Sequence, residues 1–285
     1  MKYRQVEDPL KLIWPKFPSG YVWRSGNKGD KERYLMPSNP NEQPMGYEPL
    51  LQYTGLFRDF SELSLTEDAF RDFANSYGLL GLAHDVNRPH LLAESSFEWN
   101  DSVLRMRPLV ALWRAIQTGN THALASIGKW KDGEFLYEVG DSVRSGSQWF
   151  VPESGVIQSY ELKNSGVAPG DIISAARQVL QRLVNRQLRV FPTLPALLFD
   201  REGKLRLFMQ PQSLGSALWI QFSQAISENH TLRECSVCNH WFQVGGASGK
   251  RADAETCSPK CRQAKHRADL KGNARKARAK SRRQK

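Results

Sequence analysis

From about Leu50 onward, apolar side chains recur at helical spacing. Leu56, Phe57, Phe60 and Leu63 share one side of a short helix. Thr66 offers an N-cap for a second helix, whose apolar face carries Phe70, Phe73, Ala74 and Tyr77 and which Gly78 stops. Val103, Met106, Val110, Trp113 and Ile116 predict a third over 102–117, capped by Asp101 or Ser102, with Pro108 kinking it or splitting its start. The period then changes. Across 129–137, Asp132-Gly133 stands between aromatic runs, the signature of a β-hairpin, and short strands are expected around 148–151 and 156–162. A long amphipathic helix follows over 171–188, with Ile172, Ala176, Val179, Leu180 and Leu183 inward. Residues 196–209 form another predicted hairpin across a turn at 200–204. Leu214, Leu218, Trp219, Phe222 and Ile226 mark a final apolar-faced helix.

Before Leu50 the pattern is different. Trp14-Pro15, Phe17-Pro18, Tyr21 and Trp23 indicate irregular extended structure or short strands, with a Pro/Asn-rich loop over 37–44. The fold class is therefore α+β, a mixed body of helices and short strands without the regular alternation of a nucleotide-binding sheet. There is no internal repeat, no G-x-G-x-x-G, no Walker A loop, no G-x-S-x-G and no H-E-x-x-H. An apolar fraction of 40% fits a chain that builds a real core. The first residues lack the apolar run of a secretory signal, and no stretch approaches the roughly 18 apolar residues of a membrane span. A cytoplasmic protein with no membrane partner is expected.

The chain's four cysteines fall within 27 residues, as Cys235-x2-Cys238-x18-Cys257-x3-Cys261. Paired knuckles of this spacing in a reducing compartment point to thiolate ligands rather than disulfides. A C-x2-C turn delivers two sulfurs from one knuckle, and a pair four residues apart lies on one face of a first helical turn. Ser258 as N-cap and Pro259 at the first helical position suit that geometry. Trp241-Phe242 would supply a miniature core, and Gly245-Gly246 with Ser248-Gly249 a hairpin turn. One structural Zn2+ held by Cys235, Cys238, Cys257 and Cys261 follows. Four thiolates leave no open position for water, so the ion folds the module rather than catalysing. His240 and His266 are expected at the surface or behind the ligands.

Cys235-x2-Cys238-x2-Trp241-Phe242, followed by Thr256-Cys-Ser-Pro-Lys-Cys-Arg-Gln-Ala-Lys-His-Arg267, resembles the small bacterial CGNR-type treble-clef zinc fingers over about the last sixty residues. Cys261-Arg262-Gln263-Ala264 stands where that family has its C-G-N-R run. The resemblance implies a zinc-dependent DNA-binding module at the end of a ligand-sensing domain. Farther upstream, Leu56-Phe57 and Phe73-Ala74-Asn75-x2-Gly78-Leu79-Leu80-Gly81 resemble uncharacterised bacterial proteins with such fingers, which brings no assigned chemistry. The expected layout is an α+β body over 1–229, divisible near 120–165 where the period changes. A four-cysteine finger over 230–269 and a basic disordered tail over 270–285 complete it.

Charge sharpens the functional expectation. Residues 233–285 carry fifteen Lys or Arg against four Asp or Glu, a net +11, whereas the preceding 232 residues carry 25 of each. Four thiolates and one zinc ion would reduce the cationic region by about two charges. Lys250, Arg251, Lys260, Arg262, Lys265, Arg267, Lys271, Arg275, Lys276 and Arg278 are the candidate nucleic-acid contacts, directed mainly at phosphates. Neutralising about six phosphates gives a log–log salt slope near −5. The leading expectation is a DNA-binding regulator whose body senses a small effector or protein partner. RNA is the less favoured nucleic acid.

An enzymatic alternative rests on Glu161-Leu162-Lys163, placed in a predicted strand with Asp141 upstream. That constellation would imitate a metal-dependent nuclease or toxin-like enzyme delivered to its substrate by the finger, and an RNA-associated binding protein using the same charge is a further alternative. Glu202-Gly203-Lys204 reads as turn chemistry, and His84, Asp85 and His90 as loop caps.

Overall fold

Helices carry the core of this protein. The computed structural model describes residues 10–25, 32–82, 93–145, 148–199, 202–245 and 250–268. Gly55 precedes a helix over Leu56–Ser61 that buries Leu56, Phe57 and Phe60. Thr66 caps the next helix, Glu67–Tyr77, by accepting a hydrogen bond from Ala69 N, as its sequence position predicts. The third helix starts earlier than its apolar spacing suggested. It spans Ser96–Gln117 as one element through Pro108, and its cap is Ser95, not Asp101 or Ser102. Ser95 Oγ accepts from Glu98 N while Glu98 returns a carboxylate oxygen to Ser95 N at 2.7 Å, a reciprocal capping box.

The long helix spans Ile172–Val190 from an Asp171 cap, and the last body helix is Leu214–Ser227. Their apolar faces meet the first and third helices around an aromatic cluster. Phe57 stacks on Phe222 at 5.2 Å between ring centroids and Phe70 on Trp99 at 5.5 Å, while Trp113 meets Phe222 edge-on at 5.7 Å. Such pairs add about 0.5–1.5 kcal/mol each beyond the area they bury.

Small antiparallel sheets surround the helices. Tyr21–Ser25, Arg33–Pro37 and Glu94–Ser95 form one, and Gly128–Lys131, Glu134–Val139 and Glu153–Ile157 another. The turn of the second is Asp132-Gly133, with φ of 50° and 79°, the left-handed pair an Asp-Gly hairpin adopts. The strand expected over 156–162 ends at Ile157, and Ser159–Asn164 is a helix. Gln158 breaks the ladder there because Glu161 reaches back to its N–H at 2.9 Å, a helix-starting contact that outweighs strand propensity. Most buried apolar residues from Leu12 to Ala225, including Leu124, Phe135, Tyr137 and Ile157 but not Phe150 or Phe208, belong to one continuous apolar cluster. Cys235, Phe242 and Val244 form a second, much smaller one.

Candidate metal centre and its seat on the body

The first two cysteines occupy the turn of a β-hairpin. Thr231–Glu234 pairs antiparallel with Trp241–Val244, and the connection between them is the C-x2-C knuckle. Cys235 N donates to His240 O and Asn239 N to Cys235 O, with Asn239 in the left-handed region that such a knuckle requires. The short ladder thus ends at the first two cysteines of the cluster. The Gly-rich run expected to turn a hairpin follows it: Gly245 N donates to Lys250 O, and 246–249 lie outside the described residues.

The second pair sits on a helix start. Ser258 Oγ accepts from Cys261 N at 3.2 Å, and the chain is helical over 259–268. Cys257 and Cys261 therefore project from one turn toward the knuckle. Ser236 N and Oγ both donate to Glu255 O at 3.0 Å, which fastens the two ligand segments together.

All four sulfurs lie within 4.8 Å of one another, with Cys238 and Cys257 at 3.5 Å and Cys257 and Cys261 at 3.7 Å. Tetrahedral zinc at the usual Zn–S length of about 2.3 Å requires sulfurs about 3.8 Å apart. The donor set fits such an ion. Burial opposes ionisation of Cys235, yet backbone N–H groups of Cys257, Cys238 and Val237 aimed at its sulfur bring it down to about 6. Burial pushes the Cys238 and Cys257 thiols up instead, so the cluster favours one thiolate unaided and needs a bound cation to favour these two.

His240 is not among these ligands. Its Nδ1 lies 3.0 Å from Asp59 Oδ2 and 3.2 Å from the Tyr77 hydroxyl, facing the body. Asp59 Oδ1 accepts from Trp241 N at 3.0 Å, and Trp241 Nε1 donates to Glu62 at 2.9 Å. The Arg58 guanidinium covers the Trp241 ring at 4.8 Å, and Gln243 N donates to Thr54 Oγ1 at 3.2 Å. Burial raises the Asp59 carboxyl to about 6, against the lowering pull of the Trp241 N–H and His240. The cysteine-bearing hairpin is thus seated on the Leu56–Ser61 helix through charged and aromatic groups. None of Thr54, Arg58, Asp59, Glu62 or Tyr77 was a site residue in the sequence. Only the run Arg58-Asp59-x2-Glu62 on the polar side of an apolar-faced helix could have signalled it.

The candidate nucleic-acid contacts divide into groups. Arg251 makes a two-pronged ion pair with Asp253 at 2.8 and 3.0 Å, Lys265 pairs with Glu255, and Lys250 lies over the Phe242 ring at 5.6 Å. Lys260, Arg262 and Arg267 are exposed on the 259–268 helix, and none pairs with a carboxylate among the described residues. Lys271, Arg275, Lys276 and Arg278 lie outside the described residues, as do His84, Asp85 and His90.

The carboxylate proposed for a nuclease core is otherwise engaged. Glu161 stands on a helix rather than a strand, holds the Gln158 N–H and pairs with Arg182 at 2.5 Å. Those partners hold its carboxyl below the usual range. Among the described residues, no helix is long and apolar enough to cross a membrane. No family model, curated protein or solved structure matches the chain.

Proposed function

We propose that this chain is a zinc-finger protein that binds nucleic acid, with DNA as the preferred target and regulation as its role. The observation that carries the reading is the placement of Cys257, just before the Ser258 cap, and Cys261, on the first turn, at the start of a helix that presents Lys260, Arg262 and Arg267 to solvent. A tetrathiolate zinc ion would lock the start of that helix, and 269–285 continue its cationic sequence. The body, electrically neutral over its 232 residues, has no comparable attraction for phosphate. Its part in this reading is to bind an effector or protein partner, and the Asp59–Trp241 seat is the route by which that state reaches the finger.

Fluorescence anisotropy of the full chain against duplex DNA and structured RNA, across a salt titration, tests the proposal. Binding with a log–log slope near −5, stronger for duplex DNA, supports it. Replacing Lys260, Arg262 and Arg267 by Ala should flatten that slope by about 2.7, close to 0.9 per lost phosphate contact. Stronger binding to RNA moves the target to RNA. No binding at low ionic strength, or a slope unchanged by the triple substitution, overturns the reading.

A further inference from the structure

The hairpin Thr193–Phe199 with Leu205–Pro211 turns an apolar face to water. Its register pairs Pro195 with Met209, Leu197 with Leu207 and Phe199 with Leu205, and these six side chains share one face because alternate residues point the same way. Leu197 is 68% exposed, Phe199 63%, Leu205 60% and Leu207 67%, and Pro195 and Met209 are exposed as well. The opposite face is covered in part, at Phe208, while Leu194 at its end stays half exposed. Phe208 is buried there, with the Lys11 ammonium over its ring at 5.5 Å. Lys11 Nζ also donates to Phe199 O, while the Lys11 backbone N–H donates to Met209 O along the outer edge of the Leu205–Pro211 strand.

We infer that this face is a homodimer interface, in which two copies stack their 193–211 hairpins face to face as a miniature two-layer sandwich. A second copy is the occupant the surface specifies. The six residues carry no charge, so nothing on the face selects a partner of complementary potential. The cross-strand pairs Leu–Leu and Phe–Leu are self-complementary under a two-fold axis, the arrangement an isologous contact requires. The area also agrees. Side chains of this size, about two-thirds exposed, offer on the order of 100 Å² each. Five or six of them give about 500–600 Å² per partner, about 1,000–1,200 Å² in total, which is the low end of a specific interface and the upper end of the patch a monomer leaves open.

The face is favoured over the strand edge. Pro195 removes a donor from the Thr193–Phe199 strand and blunts it for edge pairing. A two-stranded hairpin is marginal alone in water, and a second apolar layer about 10 Å away supplies the packing that three strands or a helix would otherwise give.

Sedimentation velocity of nuclease-treated full-length protein at micromolar concentration is the test. The expected particle has twice the 32.4 kDa mass of one chain. Leu197→Glu and Leu207→Glu, made separately and together, should yield the single-chain mass with unchanged circular dichroism and metal content. Tyr160→Glu, at an exposed tyrosine elsewhere, should leave the dimer intact. Amide exchange across 193–211 in the unmodified protein should slow as concentration rises, a readout that needs no substitution. A single-chain mass for the unmodified protein, a dimer that persists in the double variant, or concentration-independent exchange would each overturn the inference.

Discussion

Asp59 and Trp241, 182 residues apart in sequence, are joined by a hydrogen bond from the Trp241 backbone N–H to a half-buried carboxylate oxygen. The same carboxylate meets His240, the second residue after a cysteine of the cluster. One side chain of the body therefore grips the strand that leaves the knuckle. Asp59→Ala leaves the Trp241 donor unpaired at a partly covered site, which should cost about 1–3 kcal/mol. Thermal unfolding should show that loss, and the Trp241 amide should exchange faster while metal content stays unchanged.

Gly55 tests the same seat by shape. A Cβ there would lie 2.4 Å from Trp241 O and 2.6 Å from Trp241 C, and backbone cannot move aside as a flexible side chain can. Gly55→Val should cost about 1–3 kcal/mol through overpacking. It should raise protease sensitivity around 231–245 more than in the body, since it pushes the finger's hairpin off its helix.

Metal removal separates the two apolar clusters. Cys235, Phe242 and Val244 are too few to fold alone, whereas the body core contains no cysteine. One zinc per chain should be found by elemental analysis, and chelation should unfold the finger while most helical dichroism survives. Cys235→Ser should reproduce that state without chelator. A chain that stays metal-free and fully folded at its C-terminal end would contradict the tetrathiolate assignment.

Glu161→Gln tests the carboxylate on which a nuclease reading would rest. Its loss of charge weakens the reach back to Gln158 and the pair with Arg182. The expected result is a stability loss of about 1 kcal/mol and no change in any handling of nucleic acid. A nucleolytic activity that required Mg2+ and vanished in this variant would restore the enzymatic reading.

What the sequence made legible was local. Thr66, Asp132-Gly133, Asp171 and the paired cysteines each act within a few residues of themselves, so spacing alone placed them. Ser95 was missed because Asn100-Asp101-Ser102 offers competing polar caps, although Trp99 continues the apolar face one turn before Val103 and Ser95-x2-Glu98 has capping-box spacing. The 193–211 hairpin was located, but not the direction of its apolar face, because both faces carry large apolar residues and only tertiary packing decides which is covered. The Asp59–Trp241 seat was invisible for a similar reason. Polar residues on the outer side of a helix normally meet water, and their partner lies in a distant segment.

Glu94 supplies a prediction in pH. Its side chain is fully buried and accepts hydrogen bonds from the backbone N–H groups of Leu80, Gly81 and Leu82. Burial disfavours the charged form more than those three donors favour it, and the carboxyl is raised from 4.5 to about 7. The folded protein therefore holds a proton between about pH 4.5 and 7 that the unfolded chain has released. Stability from this group is fully present below the lower limit and is lost as pH rises through 7, in total on the order of 3 kcal/mol. Glu94→Gln, neutral at every pH, should remove that slope. It should also lower stability at pH 5, because only its amide oxygen can accept, and its amide nitrogen, a donor, would face backbone N–H groups on the other side. Denaturant unfolding at half-unit steps from pH 4.5 to 7.5 distinguishes the two profiles. An unchanged slope in the variant would mean that the proton is taken up elsewhere.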